Sequence, residues 1–281
     1  MTLFGAARRA GLVFLAILLC AGLLADWLSR AAGVPAWDVS RLQGMLPRAG
    51  TRVLWAWWVL ATRNVLAVAA SASLFGVLSG SALGALSVYG SAGIGGALSR
   101  LLGFMGTVPA LLLVGMLRLG DPTRGLLSLL AALTLLRSLE VAQLVRMEVL
   151  GTLLSGFVEA SRALGGSRRW QLRWHVLPRV ARPLLVNCLQ GAGALIGLEA
   201  ALSFVGLGLP SETPSWGGGL AAVATRGSSA ALLLTVLSIA LSCGLLYGLG
   251  ASYARNAKPV FSEAGAAGFA GKPLGAAASR R

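Results

Sequence analysis

Six long apolar runs constrain the fold of this chain more than any other feature of its sequence. They extend over residues 11–27, 65–89, 98–117, 125–145, 184–209 and 230–253. A helix needs about 20 apolar residues to cross the hydrocarbon core of a bilayer, and these runs are close to that length. Strands of transmembrane barrels are shorter and alternate in polarity, so the runs favour helices. We therefore predict an all-α, polytopic transmembrane helical bundle with six spans.

The composition agrees with a membrane protein. Hydrophobic residues make up 56% of the 281 positions and charged residues only 12%, with a mean hydropathy of +0.78. Soluble domains carry about twice that share of charge. The formal net charge of +15 comes from residues that flank the apolar runs rather than from one soluble face with interleaved aromatic residues. Membrane lipid and topology explain this charge, and we expect no nucleic-acid partner.

The distribution of arginine and lysine predicts the orientation. Arg8 and Arg9 precede the first run, and further basic residues concentrate in 146–182 and in the tail 256–281. Basic residues accumulate in short cytoplasmic loops, so we expect both termini in the cytoplasm. Residues 1–60 then form an anchor helix and an extracytoplasmic loop, because the first apolar run is too long for a typical cleaved signal peptide. The basic tail 256–281, rich in alanine and glycine, is expected to be disordered.

Catalytic and metal-binding patterns are missing from the sequence. His175 is the single histidine, and the three cysteines lie inside apolar runs without pair spacing. No zinc-binding helix and no phosphate-binding glycine-rich loop with lysine occurs. We therefore expect no enzyme activity, no metal and no cofactor, and the chain cannot hydrolyse ATP by itself.

Three ionisable residues fall inside the apolar runs, where charges are costly and are usually functional. Arg137 and Glu140 are three apart, so they share one helix face and can neutralise each other. Glu199 has no cation nearby in sequence, so we expect its partner on another helix, another chain, water or a substrate.

Glycines spaced four residues apart predict close packing between helices. They occur in three groups, at Gly76, Gly80 and Gly84, at Gly193 and Gly197, and at Gly244 and Gly248.

The basic segment 151–180 predicts two short helices joined by a glycine turn. Residues 157–164 place apolar side chains on one face, and Gly165 follows directly. A second helix over about 168–176 is expected to stop at Pro178, with Pro183 starting the fifth span. Such helices form a compact knob for a soluble partner. An amphipathic helix lying among lipid headgroups is the alternative.

The same segment resembles a known family. Glu159-Ala160-Ser161, then Gly165, then His175-Val176-Leu177-Pro178 is similar to the EAA loop of binding-protein-dependent ABC importer permeases, with Ser161 in place of the second alanine. The continuation from Glu199 to Gly208 and from Thr213 to Gly217 resembles the C-type permease subunit of the dipeptide, oligopeptide and nickel branch.

This resemblance implies a type I ABC importer permease fold over 61–255, with cytoplasmic coupling helices in 151–180. The residues that would contact an ATPase are Glu159, Ala160, Ser161, Arg162, Gly165, Leu177 and Pro178. Glu199, Ser203 and Phe204 would line the substrate pathway or the interface between permeases.

The resemblance also implies the partners. They are a homologous partner permease, two ATPase subunits and an extracytoplasmic binding protein that delivers peptides or a related small substrate, all at the bacterial inner membrane. Two alternatives remain open at this point. One is an ion-coupled secondary transporter using Arg137, Glu140 and Glu199. The other is a membrane scaffold that transports nothing.

Overall fold

The computed structural model describes residues 51–156, 167–224 and 229–256, together with isolated positions at 16, 20, 22–25, 27, 28, 158, 161 and 165. Every regular element within this part of the chain is helical. In chain order the elements are α1 (Thr51–Tyr89), α2 (Ala92–Met105), α3 (Ala110–Leu119), α4 (Leu126–Leu153), α5 (Arg168–Gln171), a π-helix (Leu172–Val176), α6 (Leu177–Val205), α7 (Trp216–Ala224) and α8 (Ser229–Asn256). The predicted all-α class is confirmed.

Four helical stretches in the described residues are long and apolar enough to cross a membrane. These are α1, α4, α8 and the continuous helix formed by the π-helix and α6, and a fifth span results if α2 and α3 count as one. The first predicted span falls largely outside the described residues. A total of six spans is compatible with this count and stays a prediction.

The third predicted span is not one straight helix, so the prediction of a continuous helix over 98–117 is wrong. α2 ends at Met105 with Gly106 as its C-cap, and α3 begins after Pro109, with an angle of 99° between the two helices. Proline disfavours helical geometry in the residue before it, and this explains why the helix breaks there.

The helix after the basic segment also differs from expectation. Pro178 lies in the first turn of α6, which continues directly from the π-helix, and Pro183 lies further inside α6. The predicted stop at Pro178 and the predicted start at Pro183 are therefore both wrong. Residues 172–205 form a single helical run that leaves the basic segment and crosses the bundle.

Close packing of α1 on α4 explains the first glycine group. A Cβ atom added at Gly80 would lie 2.5 Å from the carbonyl oxygen of Ser138, and one added at Gly84 would lie 2.7 Å from that of Ala142. The prediction is confirmed there and at Gly76. At Gly193 and Gly197 the neighbour is Cys243 of α8, at 3.3 and 3.7 Å.

The third glycine group behaves differently. A Cβ atom added at Gly244 or Gly248 would meet no described atom within 4 Å. Both glycines are exposed, so the predicted packing is not seen within the described part of this chain.

Candidate translocation site and coupling loop

The residues predicted to contact an ATPase lie in the basic segment, at one end of the helical bundle. Gly165 has a φ of +83°, a left-handed backbone that glycine adopts readily, so the predicted glycine turn is confirmed. Ser161 is a half-buried helical residue, and Leu177 and Pro178 are exposed at the start of α6. Glu159, Ala160 and Arg162 lie outside the described residues.

Exposed apolar side chains follow this turn in the chain. Trp170, Leu172 and Trp174 are exposed along α5 and the π-helix, next to the exposed Leu177. The Trp170 ring packs edge-on against His175, with centroids 4.9 Å apart. Exposed apolar side chains within an arginine-rich segment are typical of a protein or membrane contact, and we call this group the exposed patch. Two tryptophans within a basic loop were the signal that could have identified this patch.

Glu199 and Ser203 meet near the other end of α6. The Ser203 hydroxyl donates a hydrogen bond to Oε1 of Glu199 at 2.5 Å and accepts one from the Leu209 N–H at 3.1 Å. We expected the partner of Glu199 on another helix, another chain, water or a substrate. For Oε1 this expectation is wrong, because its partner Ser203 lies one turn further along the same helix. Oε2 of the buried Glu199 has no hydrogen-bond partner among the described residues. Phe204 is exposed on α6.

A buried arginine that was not among the predicted site residues joins two loops at this end. Arg118 of α3 is 1% exposed, and its guanidinium donates at 2.8 to 3.0 Å to four backbone carbonyls, those of Arg124, Gly125, Leu207 and Gly208. The loop after α3 is thereby held to the loop after α6. Arg118 directly follows the apolar run 98–117, on the side opposite the basic loops, and this position is the sequence signal that could have identified it.

A second buried arginine lies at the middle of α4. Arg137 donates through Nη1 to Oε2 of Glu140 at 2.8 Å, so the predicted ion pair is confirmed. Its Nη2 donates at 2.6 Å to both the backbone carbonyl and the side-chain oxygen of Asn187 on α6. A Cβ atom added at Gly191 would lie 2.0 Å from Cζ of Arg137. Only glycine lets the guanidinium lie against the α6 backbone here.

A cavity of about 560 Å³ opens beside this pair, between α4, α6 and α8. Its lining includes Arg137, Glu140, Asn187, Gln190 and Tyr247 as polar residues, and Gly193, Gly197 and Gly244 as small ones. Ligand sites in proteins have volumes of about 300 to 1,000 Å³. A neighbouring cavity of about 600 Å³ shares Asn187 and Gln190 and extends along α6 to Arg182 and Pro183.

Comparison with known sequences identifies similar proteins. The profile of the family described as "Binding-protein-dependent transport system inner membrane component" matches residues 72–251. The chain is 38% identical over 116 residues to the probable peptide ABC transporter permease protein y4tQ of Sinorhizobium fredii, with 41% of this chain and 39% of that protein covered. It is 29% identical to the oligopeptide transport system permease protein OppC of Bacillus subtilis, with 57% of this chain and 52% of that protein covered.

A third relative is the di/tripeptide transport system permease protein DppC of Pseudomonas aeruginosa, which is 30% identical over 55% of this chain and 51% of its own length. The chain thus spans about half the length, or less, of these curated relatives.

Solved structures support the fold. A chain of the MetNI methionine ABC transporter in inward-facing conformations aligns with a TM-score of 0.59 at 21% identity, with 74% of this chain and 99% of that chain covered. An amino acid ABC transporter crystallised with histidines aligns with a TM-score of 0.57 at 17% identity, over 71% and 94% of the two chains.

Proposed function

The chain belongs to the family of binding-protein-dependent transport system inner membrane components, and from this premise we propose that it is a permease subunit of an ATP-driven peptide importer. Its relatives in Sinorhizobium fredii, Bacillus subtilis and Pseudomonas aeruginosa bear names of peptide permeases, and this supports peptides as the cargo. The observation that carries the proposal is the continuous helical run of residues 172–205, which connects the exposed patch of the basic segment to the charged cavity at mid-bundle.

This helical run supports a mechanism for coupling. Residues 172–205 form one helical run, in which Pro178 and Pro183 each lack a backbone donor, so a displacement at Leu177 and Pro178 is carried along α6. Asn187 and Gly191 lie on that helical run and hold the Arg137 guanidinium of α4. Closure of an ATPase pair against the basic segment would therefore change the spacing of α4 and α6 at the cavity and alternate its access between the two sides.

The assembly that fits this mechanism contains four kinds of component. Two separate ATPase subunits hydrolyse ATP and contact Glu159, Ala160, Ser161, Arg162, Gly165, Leu177 and Pro178. A homologous permease completes the pathway. An extracytoplasmic binding protein delivers the peptide to the loops that Arg118 holds together. In this arrangement both termini and the basic segment are cytoplasmic.

The test is a charge reversal at the proposed ATPase contact. Glu159→Lys should abolish copurification of the ATPase and ATP-driven uptake while the permease stays inserted, because a reversed charge at a contact weakens docking more than folding. Glu212→Lys is the matched control for copurification, because Glu212 is an exposed glutamate in the loop at the opposite end. Unchanged copurification and uptake in Glu159→Lys would refute the assignment of this contact.

A further inference from the structure

The carboxylate of Glu140 is placed where a membrane helix rarely tolerates one. It lies at the middle of α4, and its side chain is 45% exposed in the described structure. A charged side chain at the centre of a bilayer is energetically costly, so such groups face protein or a watery cavity rather than lipid. This face of α4 therefore belongs to the pathway or to the interface with the partner permease.

The two members of the Arg137–Glu140 pair differ in accessibility. The guanidinium is almost fully buried and is directed at Glu140 and Asn187, whereas the carboxylate reaches the cavity. Only Oε2 of Glu140 accepts a hydrogen bond from the described residues, so Oε1 remains available. A carboxylate has about four acceptor positions. Arg137 also contributes to the lining, but its Nη atoms are already bonded to Glu140 and Asn187, so the exposed carboxylate is the charged group that a ligand in the cavity reaches more readily.

The rest of the cavity is suited to an ammonium group attached to a variable side chain. Gln190 and Asn187 place amide groups beside Glu140, which can bind a peptide backbone. Gly193, Gly197 and Gly244 leave part of the lining without bulky side chains. Such a lining accepts side chains of different sizes. Because Arg137 already neutralises Glu140, an ammonium is held weakly enough to leave again, as a passage site requires.

We propose that this cavity binds the amino-terminal end of a peptide in transit, with Glu140 accepting hydrogen bonds from its ammonium group. The proposal rests on the proposed function and deepens it, since it names the part of the cargo that the permease itself recognises. Arg137 is a positioning residue in this site, because it orients the carboxylate and ties it to α6 through Asn187.

A labelling experiment tests binding directly. In the purified permease–ATPase complex, with Cys20, Cys188 and Cys243 replaced by alanine, Gly244→Cys provides one thiol in the cavity. Trialanine should slow its reaction with a maleimide about tenfold, and N-acetyl-trialanine at the same concentration should not. Adding Glu140→Gln should abolish the protection by trialanine. Adding Glu148→Gln, the control on the same helix outside the cavity lining, should keep it.

The results separate this inference from the proposed function. Uptake of trialanine by the reconstituted importer without protection of the thiol would overturn the inference alone. The inference would also be overturned by equal protection of the thiol by both peptides, or by protection that survives Glu140→Gln. Either result would favour a side chain of the partner permease, rather than a peptide ammonium group, as the group that contacts Glu140. No uptake of trialanine by the complete importer would refute the proposed function, and the inference with it.

A steric variant provides a second test that does not depend on labelling. Gly244→Leu should fill the cavity without a clash, because an added Cβ atom has no described neighbour within 4 Å. We expect assembly to be unchanged and trialanine uptake to fall at least about tenfold. Gly248→Leu is the matched control, one turn along α8, equally open and outside the lining. Wild-type uptake by Gly244→Leu, or the same loss in both variants, would overturn the inference.

Discussion

Replacing Arg118 with methionine is expected to lower the free energy of unfolding, because the Arg118 guanidinium holds the loop after α3 to the loop after α6. Methionine keeps most of the apolar stem but removes every donor, so all four carbonyls lose their bond to the guanidinium. The carbonyls of Arg124, Leu207 and Gly208 are left unpaired, whereas the Gly125 carbonyl keeps its bonds from the Ser128 hydroxyl and the Leu129 N–H. Breaking one side of a buried charged network costs about 3 to 5 kcal/mol, and four net hydrogen bonds of about 1 kcal/mol each give a similar value. The ion pair with Asp121 is long, at 3.6 Å, and adds little.

The loss can be measured by reversible unfolding in mixed micelles with increasing dodecyl sulfate. Tryptophan fluorescence is a suitable signal because Trp57 and Trp216 are fully buried. Arg100→Met is the control, since Arg100 is exposed and makes one hydrogen bond, to the Gly96 carbonyl at 3.3 Å. It should lose less than about 1 kcal/mol. A loss in Arg118→Met within about 1 kcal/mol of the control would refute the clamp between the loops.

Substitutions at three further positions test other parts of the fold and the coupling loop. Gly165→Val should reduce ATPase copurification strongly, whereas Gly165→Asn should keep most of it, because asparagine tolerates the positive φ that a β-branched residue does not. Equal copurification by the two variants would contradict this role of the turn. Ser203→Ala should lower the free energy of unfolding by about 2 kcal/mol in the same micelle titration, since it leaves Glu199 Oε1 and the Leu209 N–H unpaired. An unchanged free energy of unfolding would contradict the stabilising role of these two hydrogen bonds. Gly80→Ile should lower the free energy of unfolding by about 3 kcal/mol or more and reduce the yield of assembled permease, because its Cβ would lie 2.5 Å from the Ser138 carbonyl oxygen of α4. A normal yield would show that α1 and α4 can separate freely.

The fold class and the buried ion pair could be predicted from the sequence because both depend on local spacing. Apolar runs of membrane length specify helices whatever they pack against. The three-residue spacing of Arg137 and Glu140 places them on one helix face, and the structure confirms their contact at 2.8 Å. The glycine turn predicted after the amphipathic stretch is also confirmed, with a φ of +83° at Gly165.

Features that depend on distant neighbours could not be predicted in the same way. The segment from Trp216 to Ala224 contains three consecutive glycines, which are poor helix formers, yet it forms α7. An added Cβ atom at Gly217 would lie 2.2 Å from the Ala200 carbonyl oxygen, and one at Gly219 would lie 2.3 Å from the Trp57 ring. These glycines are required by packing on α6 and α1, and tertiary contact outweighs helix propensity.

The candidate site shows the same division. Its charged residues were recognisable because ionisable groups inside apolar runs are rare. The cavity beside them was not, because it is formed by residues from three helices, including Gln190 and Tyr247, whose types are unremarkable in sequence. Arg118 was overlooked because it closes an apolar run, where arginine is common, and its four carbonyl partners lie in two separate loops.

The energy source for uptake tests the central claim most directly. The complete importer, reconstituted in liposomes with ATP on the side of the basic segment and trialanine-loaded binding protein on the other, should accumulate trialanine. Accumulation should persist when proton and sodium gradients are collapsed and should cease without ATP. Uptake that follows an ion gradient and needs no ATPase subunit would contradict the account and would identify the chain as a secondary transporter.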